Sequence, residues 1–147
     1  MRDSKLAIRT AYFNALDGNI TLNGRVVPPL DRVPADQKAP YIKLSTQTST
    51  EGIGGKKDCK LQETTILLDI VTAYDSSRGG KQDTDLIADQ VLQILAPEDT
   101  ADLPSLGNDF QLVNTQIESD FDIEEKNQTV YVYRRLIRFR NQVEQLV

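Results

Sequence analysis

Four arginines crowd into one short stretch near the end of the chain, Arg134, Arg135, Arg138 and Arg140. A guanidinium is the side chain best shaped to grip a phosphate or a carboxylate through two parallel hydrogen bonds. If Thr129 to Asn141 is a strand, alternation puts Arg134, Arg138 and Arg140 on one face and Arg135 on the other with Tyr131, Tyr133, Ile137 and Phe139. One face is then cationic and the other apolar. Such a stripe either contacts phosphates with aromatic rings beside it, as nucleic-acid-binding sheets do, or pairs with carboxylates of a neighbouring strand or of another subunit. Between Glu98 and Glu125 lie nine acidic residues and no Lys or Arg. The basic strand therefore has an acidic neighbour, and fork-like pairing of arginine with carboxylate is the favoured reading.

The remaining candidates for chemistry are weaker. Glu118, Asp120, Asp122, Glu124 and Glu125 invite a metal or acid–base reading, but the calcium-loop spacing is not met, and around an expected exposed turn solvation leaves carboxylates ordinary. Thr50-Glu51-Gly52-Ile53-Gly54-Gly55-Lys56-Lys57 has neither the spacing of a phosphate-cradling loop nor its following Ser or Thr. Ser76-Ser77-Arg78-Gly79-Gly80 ahead of a helix could receive an anion at the helix N-terminus, but a simple strand-to-helix turn is the favoured reading. Cys59, the single cysteine, sits beside Lys57 and Lys60, which favour a thiolate, yet no histidine stands anywhere in the chain to act as its partner. Without imidazole there is no Ser-His-Asp or Cys-His pair and no ordinary zinc site. Carboxylate pairs, lysine bases and magnesium sites stay open.

The elements that would position these residues follow from periodicity. Asp3 to Leu16 carries apolar side chains at helical spacing, with Asp3 or Ser4 available as a cap. Ile20 to Val27 reads as a short hairpin turning at Asn23-Gly24, because that pair suits the positive φ angles of a type I′ turn. Pro28, Pro29, Pro34 and Pro40 make the next stretch irregular. Tyr41 to Thr48 is expected to be a strand, Ser49 to Lys60 a mobile hairpin loop with three lysines, and Leu61 to Tyr74 a long strand running back against the first. Asp83 to Leu95, or from Lys81, is a second helix ending before Pro97. An acidic, proline-containing connection then leads to a strand in which Val113, Thr115, Ile117 and Phe121 alternate with polar neighbours; Asp122 to Gln128 is turn-like, and Thr129 to Asn141 closes an antiparallel pair.

A chain of 147 residues with 39% hydrophobic side chains suits a single domain, residues 1–147. The fold class expected is α+β, a mainly antiparallel sheet with two helices packed on one face and a small N-terminal hairpin. A net charge of −5 gives no field that gathers phosphates. With no apolar run long enough to cross a bilayer and no signal-peptide core, the chain is expected to be soluble, without membrane partners, and made in a cytosol.

The order of segments carries more information than any one motif. An N-terminal helix, a Pro-rich connection into Ala39-Pro40-Tyr41-Ile42-Lys43-Leu44, a loop, the strand Thr65-Ile66-Leu67-Leu68-Asp69-Ile70-Val71-Thr72-Ala73-Tyr74, a helix Lys81 to Leu95 with Ile87, Ala88 and Val91, and two closing strands together resemble the tail terminator family of long-tailed bacteriophages, also called tail completion or head-to-tail joining proteins. The resemblance spans nearly the whole chain. It implies a structural virion protein with no catalytic residues, cofactor or metal, made in the host bacterial cytoplasm. Six copies would form a ring that ends growth of the tail tube and docks to the head connector or stopper, with DNA passing through the lumen without sequence-specific binding.

A ring needs two different surfaces of one subunit to meet, and the acidic segment and the basic strand supply a pair: Arg134, Arg135, Arg138 and Arg140 with Glu118, Asp120 and Asp122. Part of the Glu98 to Glu125 segment, or other acids, is expected to face the lumen and repel phosphate. Glu51, Lys56, Lys57 and Lys60 are the expected contact with the tube or connector. Three rivals remain on the sequence alone: another neck or tail-tube ring subunit, a nucleic-acid-binding module using the final strand, and a histidine-free enzyme, for which no convergent site stands out.

Overall fold

The computed structural model describes residues 2–51, 60–75 and 79–147. Helix α1 (Lys5–Leu16) buries Ile8, Ala11, Tyr12 and Leu16 along one stripe. Of the two candidate caps, Asp3 accepts the Lys5 amide at 3.0 Å, while the Ser4 hydroxyl turns inward and donates to Gln62 at 2.8 Å. Strands β1 (Thr21–Leu22) and β2 (Arg25–Val26) form the expected hairpin, with Asn23 at φ 52 and Gly24 at φ 78. That pair of positive angles is the type I′ signature, which glycine and asparagine adopt at least cost.

Strand β3 (Pro29–Leu30), β4 (Tyr41–Glu51), β5 (Leu61–Tyr74), helix α2 (Lys81–Leu95), a 3₁₀ turn (Thr100–Asp102), β6 (Phe110–Asn127) and β7 (Val130–Gln145) complete the chain. Among the described residues the main sheet has five strands in the order β3-β4-β5-β7-β6. All its pairings are antiparallel except the short parallel contact of β3 with β4. The α+β architecture expected from the sequence is the one observed.

Both helices lie on one sheet face. There Ile42, Leu44, Ile66, Leu68, Ile70, Ile137, Phe139 and Val143 meet Ile8, Tyr12 and Leu16 of α1 and Ile87, Val91 and Leu95 of α2, all at most 1% exposed. Each such side chain contributes about 1.5–3 kcal/mol by leaving water, so this layer dominates the stability. The Gln90 amide ties the hairpin to α2 by accepting from the Thr21 amide at 3.0 Å and donating to the Thr21 carbonyl at 2.8 Å. A polar pocket sits inside the layer: Tyr12 Oη and Thr115 Oγ1 each donate to Asn141 Oδ1 at 2.8 Å, with the Tyr12 ring edge-on to Phe139 at 5.7 Å.

Four expectations are corrected. Strand β4 runs on through Ser49, Thr50 and Glu51, the start of the expected loop, because these residues pair with Thr64, Glu63 and Gln62 of β5. The proline-rich stretch is not wholly irregular, because Pro29 and Leu30 form an edge strand, where a missing backbone donor is tolerated. Asp122 to Gln128 is not turn-like: β6 runs on to Asn127, and the chain reverses at Gln128, φ 55. The polar residues hold strand geometry because each is paired across to β7, Asp122 opposite Arg135 and Glu124 opposite Tyr133. Nor do Val113, Thr115, Ile117 and Phe121 share one half-buried face. Register shifts after Leu112 and after Ile117 change the parity of β6, sending Phe121 to the helix-free side opposite Leu136 and leaving it 49% exposed.

Candidate assembly surface

The sheet face opposite the helices is where the final strand presents Arg134, Arg138 and Arg140, as alternation requires. The register places these residues opposite Val71, Leu67 and Thr65 of β5 and opposite Ile123, Ser119 and Gln116 of β6. Arg134 reaches diagonally to grip Asp69 through Nε, at 3.3 Å, and Nη2, while its Nη1 stands 3.5 Å from Glu125. The Asp69 side chain is only 6% exposed although no helix covers it, because the guanidinium lies over it. This pairing, hydrogen bonding to Asp69 first, raises the Arg134 pKa further above its ordinary value. Arg138 donates to Thr65 at 3.3 Å and Thr46 at 3.4 Å and approaches Glu118 at 3.9 Å. Arg140 donates to Gln116 at 2.7 Å and lies 3.4 Å from Glu63.

Arg135, on the helix side, forms a two-pronged bond to Asp120, Nε at 2.9 Å and Nη2 at 2.7 Å, and a third to Asp85 of α2 at 3.0 Å. The bond to Asp120 is the main reason that its pKa is pushed up. Nearby, Lys81 at the start of α2 stands 3.4 Å from Glu124. One arginine thereby joins β6, β7 and α2.

The structure thus brings the acidic and basic candidates together on adjacent strands of a single chain. Arg134, Arg135, Arg138 and Arg140 each have a carboxylate partner within the chain, and Glu118 and Asp120 are among those partners. Asp122 faces solvent opposite Arg135, with no ion pair among the described residues. Glu51 is the exposed last residue of β4, and the Lys60 carbonyl accepts from the Gln145 amide at 2.9 Å. Lys56, Lys57, Cys59 and Gly52 to Gly55 lie outside the described residues, as do Ser76, Ser77 and Arg78.

Sequence reasoning missed Asp69, Asp85 and Glu63. The readable signal for Asp69 was its position as the lone charge inside the apolar run Ile66 to Val71; nothing in the pattern of α2 singles out Asp85. No three Asp, Glu or Cys side chains come together as metal ligands among the described residues. A groove of about 720 Å³ runs between α1 and the 105–110 segment. Its charged lining, Arg2, Asp3 and Asp109, includes an ion pair of 2.9 Å between Arg2 and Asp109.

No protein-family model matches this sequence, and no curated protein matches it.

Proposed function

We propose that this chain is a structural subunit of a phage neck or tail, of the tail terminator kind. It assembles into a ring at the head-proximal end of the tail, closing the tail tube and receiving the head connector, while DNA passes through the lumen unread. The observation that carries the reading is architectural. Among the described residues the five-stranded sheet is covered by helices on one side only and nothing pairs with its long outer strand, on which Ile117 is 41% exposed on the helix side, Phe121 49% on the other, and Val113 40% at the bulge. Exposed apolar side chains on an uncovered edge strand are a liability in a solitary protein and an asset in an assembly.

The paired arginines weigh against the rival nucleic-acid module. Arg134 must give up its bonds to Asp69 before it can grip a phosphate, Arg138 and Arg140 already donate to Thr65, Thr46 and Gln116 with Glu118 and Glu63 nearby, and the chain carries no net positive charge to compensate. Negative-stain imaging combined with a native mass measurement tests the proposal. Closed rings with six-fold symmetry are the expected result. Tight, salt-dependent DNA binding that disappears when Arg134, Arg138 and Arg140 are replaced is the result that would overturn it.

A further inference from the structure

We infer that copies of this chain join head to tail through the two opposite edges of the five-stranded sheet, the acidic β6 edge of one against the basic β3–β4 edge of the next. This rests on the ring reading and names its interface. The β6 edge is long and open: among the described residues its only strand neighbour is β7. At the other edge, β3 covers only Ile42 and Lys43 of β4, so from Leu44 to Glu51 the outer side of β4 has no strand beside it among the described residues. Unpaired strand edges offer rows of backbone donors and acceptors to another chain.

Charge selects which edges meet. Strands β5, β6 and β7 hold eight carboxylates against five cations, so four arginines do not neutralise that side, and Asp122 projects from its rim without an ion-pair partner among the described residues. On the opposite rim, residues 25–51 hold four cations, Arg25, Arg32, Lys38 and Lys43, against Asp31, Asp36 and Glu51. None of the four has an ion-pair partner among the described residues, and Asp31 is engaged by Arg9 at 2.8 Å. Arg25 and Lys38 line one groove, about 620 Å³, together with Asp83, beside Pro40 and the end of β5. Two unlike edges on one subunit define a heterologous contact, which can close into a ring, and like edges repel.

The test uses charge reversal on exposed residues. Arg32→Glu/Lys38→Glu makes both edges acidic; Asp122→Lys/Glu124→Lys makes both basic. Each variant is checked for folding by circular dichroism and studied by sedimentation across a concentration series beside the unaltered chain. Each alone is expected to associate about a hundredfold more weakly, and an equimolar mixture to recover assemblies of alternating subunits, as does the chain carrying all four changes. If the unaltered chain assembles and either variant alone does so equally well, or the mixture does not recover, the edge contact is wrong and the ring reading stands. If the unaltered chain stays monomeric at every concentration, the ring reading falls and the edge contact with it.

Discussion

Arg134→Met removes the guanidinium that covers Asp69 while keeping most of the aliphatic stem. The carboxylate left behind is 6% exposed in a half-apolar sheet face between Leu67 and Val71. Breaking a buried pair by removing one partner costs about 3–5 kcal/mol. Here the guanidinium is itself 33% exposed, so once it is gone water reaches Asp69 more easily, and the loss is expected at the lower end, about 3 kcal/mol. Arg134→Lys keeps the charge but not the fork and is expected to lose about 1 kcal/mol. Removing both charges with Asp69→Leu/Arg134→Met eliminates the stranded carboxylate, so the double variant should be more stable than Arg134→Met, with a coupling of about 2 kcal/mol. Urea unfolding at pH 7, at concentrations that keep the chain monomeric, gives each value. Additive single changes, or a loss below about 1 kcal/mol for Arg134→Met, would show that Asp69 does not depend on Arg134 and that this face is not held as described.

Tyr12 is fully buried, and burial pushes its hydroxyl well above the ordinary pKa. The unfolded chain therefore releases this proton first, and stability should fall above about pH 10 by up to about 1.4 kcal/mol per pH unit. Tyr12→Phe should remove that slope while losing about 1 kcal/mol at pH 7, and an unchanged alkaline limb in its denaturation curves would count against the assignment. Gly79 has φ 83, and a Cβ there would stand 2.5 Å from the Tyr74 ring. Gly79→Ala should accordingly cost about 2 kcal/mol by thermal unfolding, whereas Gly24→Ala, with open space around it, should cost about 1 kcal/mol from its φ alone.

The elements with strong local signals were legible. The Asn23-Gly24 turn could be read because only a few residues tolerate its angles, and β5 because its apolar length left no alternative. The last two strands were harder. Their pairing was visible, but the length of β6 was not, since Asp122, Glu124 and Asn127 look like turn residues until cross-strand partners supply what their propensity lacks. The parity of Phe121 was invisible for a different reason: a bulge depends on how two strands settle against each other, and no single segment announces it. Arginine placement on the two faces followed from alternation, whereas the identity of the partners did not. Asp85 comes from a helix 50 residues away, and that pairing needs the packing of α2 on the sheet.

The pairing also changes what charge can do in this molecule. An acidic strand and a basic strand that lie apart on a surface can meet across two copies; the same strands side by side satisfy each other first. What is left for recognition is the residue of that balance, and it is uneven because carboxylates outnumber cations at one side of the sheet while the Pro-rich rim at the other keeps its lysines and arginines. A net charge of −5 makes copies repel at long range, but at physiological salt that repulsion is screened within about 8 Å, and contacts between opposite edges act at shorter distances. Copies that approach edge to edge therefore meet attraction where copies in other orientations meet repulsion. In a chain whose arginines were free, the strongest cationic surface would be a flat sheet face open to phosphates; here Asp69 holds Arg134, Glu63 and Glu118 stand 3.4 Å and 3.9 Å from Arg140 and Arg138, and the uncompensated charge lies on the rims.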